Sequence, residues 1–95
     1  MAIETVWDEA KRELNLETHG FDFVDIAVFD WPSAIYRPTY PGRFGNQRFK
    51  AIGFLEGDLV AAVFSGLGAE AVSLISLRRA SRQERLEYEQ SQTNP

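Results

Sequence analysis

Between Phe49 and Leu77 the chain carries three apolar runs, residues 49–55, 59–64 and 71–77, separated only by Glu56-Gly57-Asp58 and by a second glycine-containing segment, residues 65–69. Their lengths suit strands, and a short glycine-bearing turn between the first two is a hairpin signal. Three consecutive strands joined this closely predict an antiparallel meander.

Upstream of residue 33 the period is helical instead. Residues 3–7 form a short apolar lead-in, read as a strand, and Asp8 then offers a side-chain oxygen to cap a helix running to about Glu17. Trp7, Ala10 and Leu14 fall on one stripe of it, and His19-Gly20 closes it, glycine being the usual residue where the backbone turns left-handed. Asp22, with Asp25 three positions on, caps a second predicted helix, for which Phe21 and Ile26 are placed as a hydrophobic staple. Trp31-Pro32 stops that helix, residues 34–36 form a candidate strand, and residues 37–46 read as a loop rich in proline and glycine. Ser81-Arg82-Gln83-Glu84 is a capping box opening a last helix through about Glu89, with residues 90–95 a frayed tail. The prediction is one α+β domain over residues 1–89: an antiparallel sheet with two N-terminal helices and one C-terminal helix. A chain of 95 residues, 44% hydrophobic, has material for one core and not for two.

Net charge is -4, which taken alone argues against a nucleic-acid partner. The charge is segregated, however: residues 1–30 carry -6, residues 31–55 carry +4, residues 56–75 carry -3 and residues 76–95 carry +1. If the fold brings Arg37, Arg43, Arg48 and Lys50 beside Arg78, Arg79, Arg82 and Arg85, an anion-attracting face results; otherwise these are scattered surface charges. The absence of cysteine excludes a disulfide framework and thiolate metal sites. No apolar run approaches the roughly 20 residues that span a bilayer, and the start has no basic region followed by an apolar stretch, so no membrane contact and a cytoplasmic location are expected.

His19 is the sole histidine and no carboxylate clusters with it in sequence, so neither a metal nor another cofactor is expected. It is a candidate general acid or base, since imidazole ordinarily titrates nearest neutrality, or else a helix-end residue that favours the dipole. Arg78 and Arg79 follow a strand, and Arg82 and Arg85 lie one turn apart on the next helix. Guanidinium forks match phosphate oxygens and keep their charge. The alternative is a solvated helix face paired with Glu84, Glu87 and Glu89. Tyr36, Tyr40, Phe44 and Phe49 interleave with Arg37, Arg43, Arg48 and Lys50, a composition suited to unpaired nucleotides and equally to a protein partner.

Several landmarks resemble one family in order and spacing. Trp7-Asp8, Lys11, Asn15, His19-Gly20-Phe21, Phe23 and Ala27-Val28-Phe29-Asp30 resemble the opening of BrnT-type toxins. Arg48, Gly53, Ile75-Ser76-Leu77-Arg78-Arg79-Ala80-Ser81, Glu84-Arg85 and Tyr88 resemble their second half. The resemblance implies a RelE-like ribonuclease-toxin fold, metal-independent RNA cleavage that inhibits translation, and a cognate ribbon-helix-helix antitoxin through which operator DNA is reached. On that reading Arg48 and Arg78 contact phosphate, His19 or Lys11 assists proton transfer or binding, and Arg79 and Tyr88 contact RNA; Tyr36, Arg37, Arg43 and Lys50, from the interleaved aromatics and bases, are further candidate RNA contacts. Set against the resemblance, the chain departs at three places: Asn46 stands where a glutamate is usual, and Leu67, or Gly68 on another alignment, and Ser73 stand where arginines are usual. The departures leave a second reading, a toxin-fold interaction module that binds an antitoxin-like partner with weakened or no catalysis.

Overall fold

The computed structural model describes residues 4–41, 47–67 and 70–93. Helix α1 (Glu9–His19) begins where Asp8, in extended backbone, accepts a hydrogen bond from the Lys11 amide at 3.1 Å, and it ends where Gly20 turns left-handed at φ 78°. A short carboxylate satisfies an orphan N–H at one end, and the lack of a Cβ permits positive φ at the other. Helix α2 (Arg82–Thr93) opens on the expected capping box: the Glu84 N–H donates to Ser81 Oγ at 3.2 Å and the Ser81 N–H to Glu84 Oε1 at 2.8 Å. It continues past Glu89, so residues 90–93 are helix and not tail.

Among the described residues, β1 (Glu4–Val6), β2 (Ile35–Thr39), β3 (Arg48–Leu55), β4 (Asp58–Leu67) and β5 (Ala71–Arg79) form one sheet in the order β1-β5-β4-β3-β2. Strands β3 to β5 are the predicted meander, and Glu56 and Gly57, at φ 48° and 90°, make the two-residue turn that suits strand twist. The expectation of a purely antiparallel sheet is corrected at one edge, where β1 runs parallel to β5 with Glu4 opposite Ala71 and Val6 opposite Ser73. A parallel neighbour needs a long connection, and the whole intervening chain supplies it, so no local pattern announces the pairing. Strand β2 runs on through Pro38, within the segment expected to be loop, because an edge strand tolerates a residue without an N–H. Residues 42–46 of that loop, including Arg43, Phe44 and Asn46, lie outside the described residues.

The second predicted helix is also corrected. Phe23–Val28 is a 3-10 segment, capped by Asp22, which accepts from the Val24 N–H at 3.1 Å. Its buried residues Phe23 and Ile26 are three apart, which matches a three-residue repeat, and Phe29 returns to extended backbone to bridge Leu55.

Phe23, Ile26 and Phe29 pack on Ala51, Leu55, Val60, Ala62, Leu74 and Leu77, while Tyr88 of α2 packs on Ile52 and Leu59 from the other face. Leu74 and Leu77 share a face despite odd spacing because Val63 pairs with Ser76 and Phe64 with Leu74, leaving Ile75 as a bulge. The same register puts Ser76 and Arg78 on the face that carries Arg48 and Lys50.

Beyond Ser73 the free edge of β5 is covered by α1. Buried Asn15 donates through Nδ2 to the Leu77 carbonyl at 2.8 Å and the Phe21 carbonyl at 3.0 Å, and accepts from the Leu77 N–H at 3.1 Å. Its amide thus serves as one peptide unit of an absent strand. Asn15→Leu, which strands both Leu77 groups, is expected to lower the unfolding free energy by about 3 kcal/mol in urea titrations, whereas exposed Glu13→Gln changes it by less than about 0.5 kcal/mol.

Candidate active site

Lys11, Leu14, Asn15, Thr18 and His19 recur at the spacing of one helical face, and on α1 they line a pocket of about 350 Å³ with Arg48 of β3 and Ile75 and Ser76 of β5. The Asn15 anchor sets this arrangement. Once it is fixed to Leu77, Lys11 lies one turn before it and Thr18 and His19 one turn after, above the bulged part of β5.

Three of the four residues expected to act on RNA, Lys11, His19 and Arg48, therefore meet at one cavity, and among the described residues no carboxylate lines it. Arg48 is half-buried, and its Nε is buried without a hydrogen-bond partner among the described residues. A guanidinium N–H in that state is an anion donor with its desolvation already incurred. Thr18 and Ser76 add hydroxyls that sequence reasoning missed; for Thr18 the signal was its seven-residue spacing from Lys11.

Arg78, the fourth, does not line this pocket. Its Nη1 and Nη2 donate to Glu84 Oε1 and Oε2 at 2.7 and 2.9 Å, and Lys50 Nζ donates to Oε2 at 2.8 Å. The Glu84 side chain is 4% exposed, and the Arg78 fork, with Lys50 and the Ser81 N–H, holds its carboxyl far below the ordinary 4.5. The capping-box glutamate is thus also the hub of a buried ion network, and two expected RNA contacts are tied into it. Arg48, Lys50 and Arg78 nonetheless share a sheet face, with Arg37 opposite Lys50 in the neighbouring strand.

The remaining expected contacts are spread over the molecule. Arg37 Nη1 donates to the Tyr36 carbonyl, and Arg37 Nε lies 3.8 Å from Glu87. Arg79 pairs with Asp58 at 3.1 Å and lies over the Phe21 ring. Tyr36 donates its hydroxyl to the Trp31 carbonyl at 2.7 Å, and burial together with nearby Asp30 raises its titration. Tyr88 is buried in the core edge-on to Phe54, which leaves its ring no open face for a nucleotide. Arg43 falls outside the described residues. Ser73 is aligned with Arg48 through Ser65, and Leu67 ends β4.

Because the folded protein binds a proton at Glu84 less readily than the unfolded chain, the stability this group contributes is present above pH 4.5 and is lost as the pH falls toward its depressed value. Asp22, held at about 2 by Arg12, acts in the same direction. Glu84→Gln is expected to cost on the order of 3 kcal/mol at pH 7 and to flatten the decline in denaturation midpoint between pH 5 and pH 2.

Residues 7–84 match the family model described as ribonuclease toxin, BrnT, of type II toxin-antitoxin system. The structure is similar to the 1.1 Å crystal structure of the Brucella abortus ribonuclease toxin BrnT, at a TM-score of 0.69 and 37% sequence identity, over 85% of this chain and 100% of that one. No curated protein matches the sequence.

Proposed function

Since the chain belongs to the BrnT family of type II toxin-antitoxin ribonuclease toxins, we propose that it cleaves RNA without a metal in the pocket of Lys11, His19 and Arg48, inhibiting translation until a cognate ribbon-helix-helix antitoxin neutralises it. The observation that carries this reading is the convergence of those side chains with the unpartnered, buried Arg48 Nε.

In this mechanism Arg48 holds the scissile phosphate and offsets charge developing on its oxygens. The 2'-hydroxyl attacks phosphorus: the O2'–P bond forms, the P–O5' bond breaks, and the products are a 2',3'-cyclic phosphate and a 5'-hydroxyl. His19 takes the 2'-proton and Lys11 supplies one to the leaving oxygen, or the two exchange these roles. Arg37, Lys50 and Arg78 extend the cationic face along the backbone of the bound strand, with Arg43 as a further contact, while Arg79, on the opposite sheet face, would meet only a strand that wraps the edge of β5. Operator DNA is reached only through the antitoxin, and the protein works in the cytoplasm, where its substrate is.

A second reading has its own observation. Leu67, or Gly68, and Ser73 are uncharged where the resemblance leads one to expect arginines, and Arg78 is held by Glu84. On this reading the chain binds its partner and does not cut RNA.

Purified protein incubated with single-stranded RNA in EDTA decides between them. The first reading expects fragments ending in cyclic phosphate, a rate loss of about a hundredfold or more in Arg48→Ala, and a similar loss in His19→Ala. Intact RNA at high protein concentration sides with the second. Ser73→Arg, which adds a cation in line with Arg48, is expected to raise the cleavage rate about tenfold or more; an unchanged rate in a folded variant excludes that position from phosphate binding.

A further inference from the structure

Trp7, Val24, Ala27, Trp31, Phe64 and Val72 line a second concavity, of about 890 Å³, between the 3-10 segment and the β1 side of the sheet. By register Phe64 and Val72 point to the face opposite Arg48 and Ser76, so this groove and the cationic pocket lie on opposite sides of the sheet. Its aromatic floor is braced, Trp31 standing edge-on to Phe29 at 4.8 Å and to Phe64 at 5.7 Å.

Two of the uncharged polar groups that line it are already paired, and the Thr5 hydroxyl is a further one. Trp7 Nε1 donates to Glu9 Oε1 at 3.0 Å, and the Tyr36 hydroxyl donates to the Trp31 carbonyl at 2.7 Å. A metabolite site ordinarily offers several convergent free donors and acceptors to fix orientation. This groove offers mainly apolar surface, which continues outward over Val24 and Val28, 49% and 58% exposed. Such a surface takes large apolar side chains presented by a partner.

Charge defines the partner further. From Glu13 to Tyr36 the chain has five acids and neither lysine nor arginine. Exposed Asp25 and Asp30 directly flank the lining residues Val24, Ile26 and Trp31. Of the two bases further upstream, Arg12 is tied to Glu9 and Asp22, and Lys11 lines the other pocket. The rim is acidic without local compensation, and it attracts a basic segment.

We propose that this groove docks an amphipathic helical segment of a protein partner, with leucine- or phenylalanine-sized anchors one turn apart and lysine or arginine beside them. The inference rests on the antitoxin half of the function proposed above and not on its ribonuclease half. A segment seated in the groove leaves Arg48 uncovered.

The two tryptophans of the chain, Trp7 and Trp31, both line the groove, so their emission reports its occupancy. The probes are two synthetic amphipathic helical peptides with the same leucines, one bearing lysines and one bearing glutamates. The lysine peptide is expected to shift the emission saturably and to bind about tenfold or more tighter than the glutamate peptide at low salt. Two variants, each confirmed folded by circular dichroism, separate shape from charge. Ala27→Gln adds bulk without charge, and Asp25→Asn with Asp30→Asn removes charge without bulk; each is expected to weaken the lysine peptide severalfold. Equal binding of the two peptides, binding of neither, or binding indifferent to both variants overturns the proposal. So does an emission change that follows protein concentration without peptide, which would make a second copy the occupant, or one produced by single-stranded RNA. Failure of RNA cleavage in EDTA removes the catalytic reading and leaves these outcomes as they stand.

Discussion

Past Ser73 the edge of β5 has lost its neighbour β1, and the Leu77 N–H and carbonyl would be left unpaired at a buried edge if the Asn15 amide did not meet both. An unsatisfied buried backbone group costs about 1–3 kcal/mol, so a carboxamide is well matched to that place on the helix. The consequence reaches beyond stability. With Asn15 fixed, the rotation and height of α1 over the sheet follow, and with them the positions of Lys11, Thr18 and His19 around Arg48. An apolar residue at position 15 would still pack, but it would leave the helix free to slide along β5.

Charge is arranged around that frame with a division of labour. Glu84 gathers Arg78, Lys50 and the start of α2 into one buried network, and an internal network of this kind ties orientation more than it adds stability. The two cations it holds remain on the face of Arg48, and with the single Glu84 carboxylate between them they still leave net positive charge there. The opposite face has aromatic surface and a rim of aspartates. A chain with net charge -4 can therefore present a cationic pocket on one side and an acidic apolar groove on the other.

Much of the fold was legible residue by residue. Asp8, Gly20, Ser81 with Glu84, and Glu56-Gly57 each answer a local need, an orphan N–H or a positive φ, within four residues of where it arises. The illegible parts are those set at a distance. The parallel pairing of β1, the 3-10 geometry of Phe23–Val28 and the bulge at Ile75 depend on what packs against each segment. In the candidate site the choice of Lys11, His19 and Arg48 was readable from residue type and family resemblance, and the structure brings the three together. Thr18 and Ser76 were not readable, since a hydroxyl carries no signal until its neighbours are known.

By itself, then, the sequence determined the local conformations, the meander, the identity of the available cations and the family, because each depends on neighbours along the chain or on residue order. Only the tertiary structure decided which cations stay available. Asn15 bonds to Leu77 across 62 residues and Lys50 to Glu84 across 34, and no periodicity encodes an interaction of that span. Arg48 and Arg78 are the same residue type on one sheet face, and they differ because a buried carboxylate pairs with Arg78 while, among the described residues, Arg48 Nε has no partner.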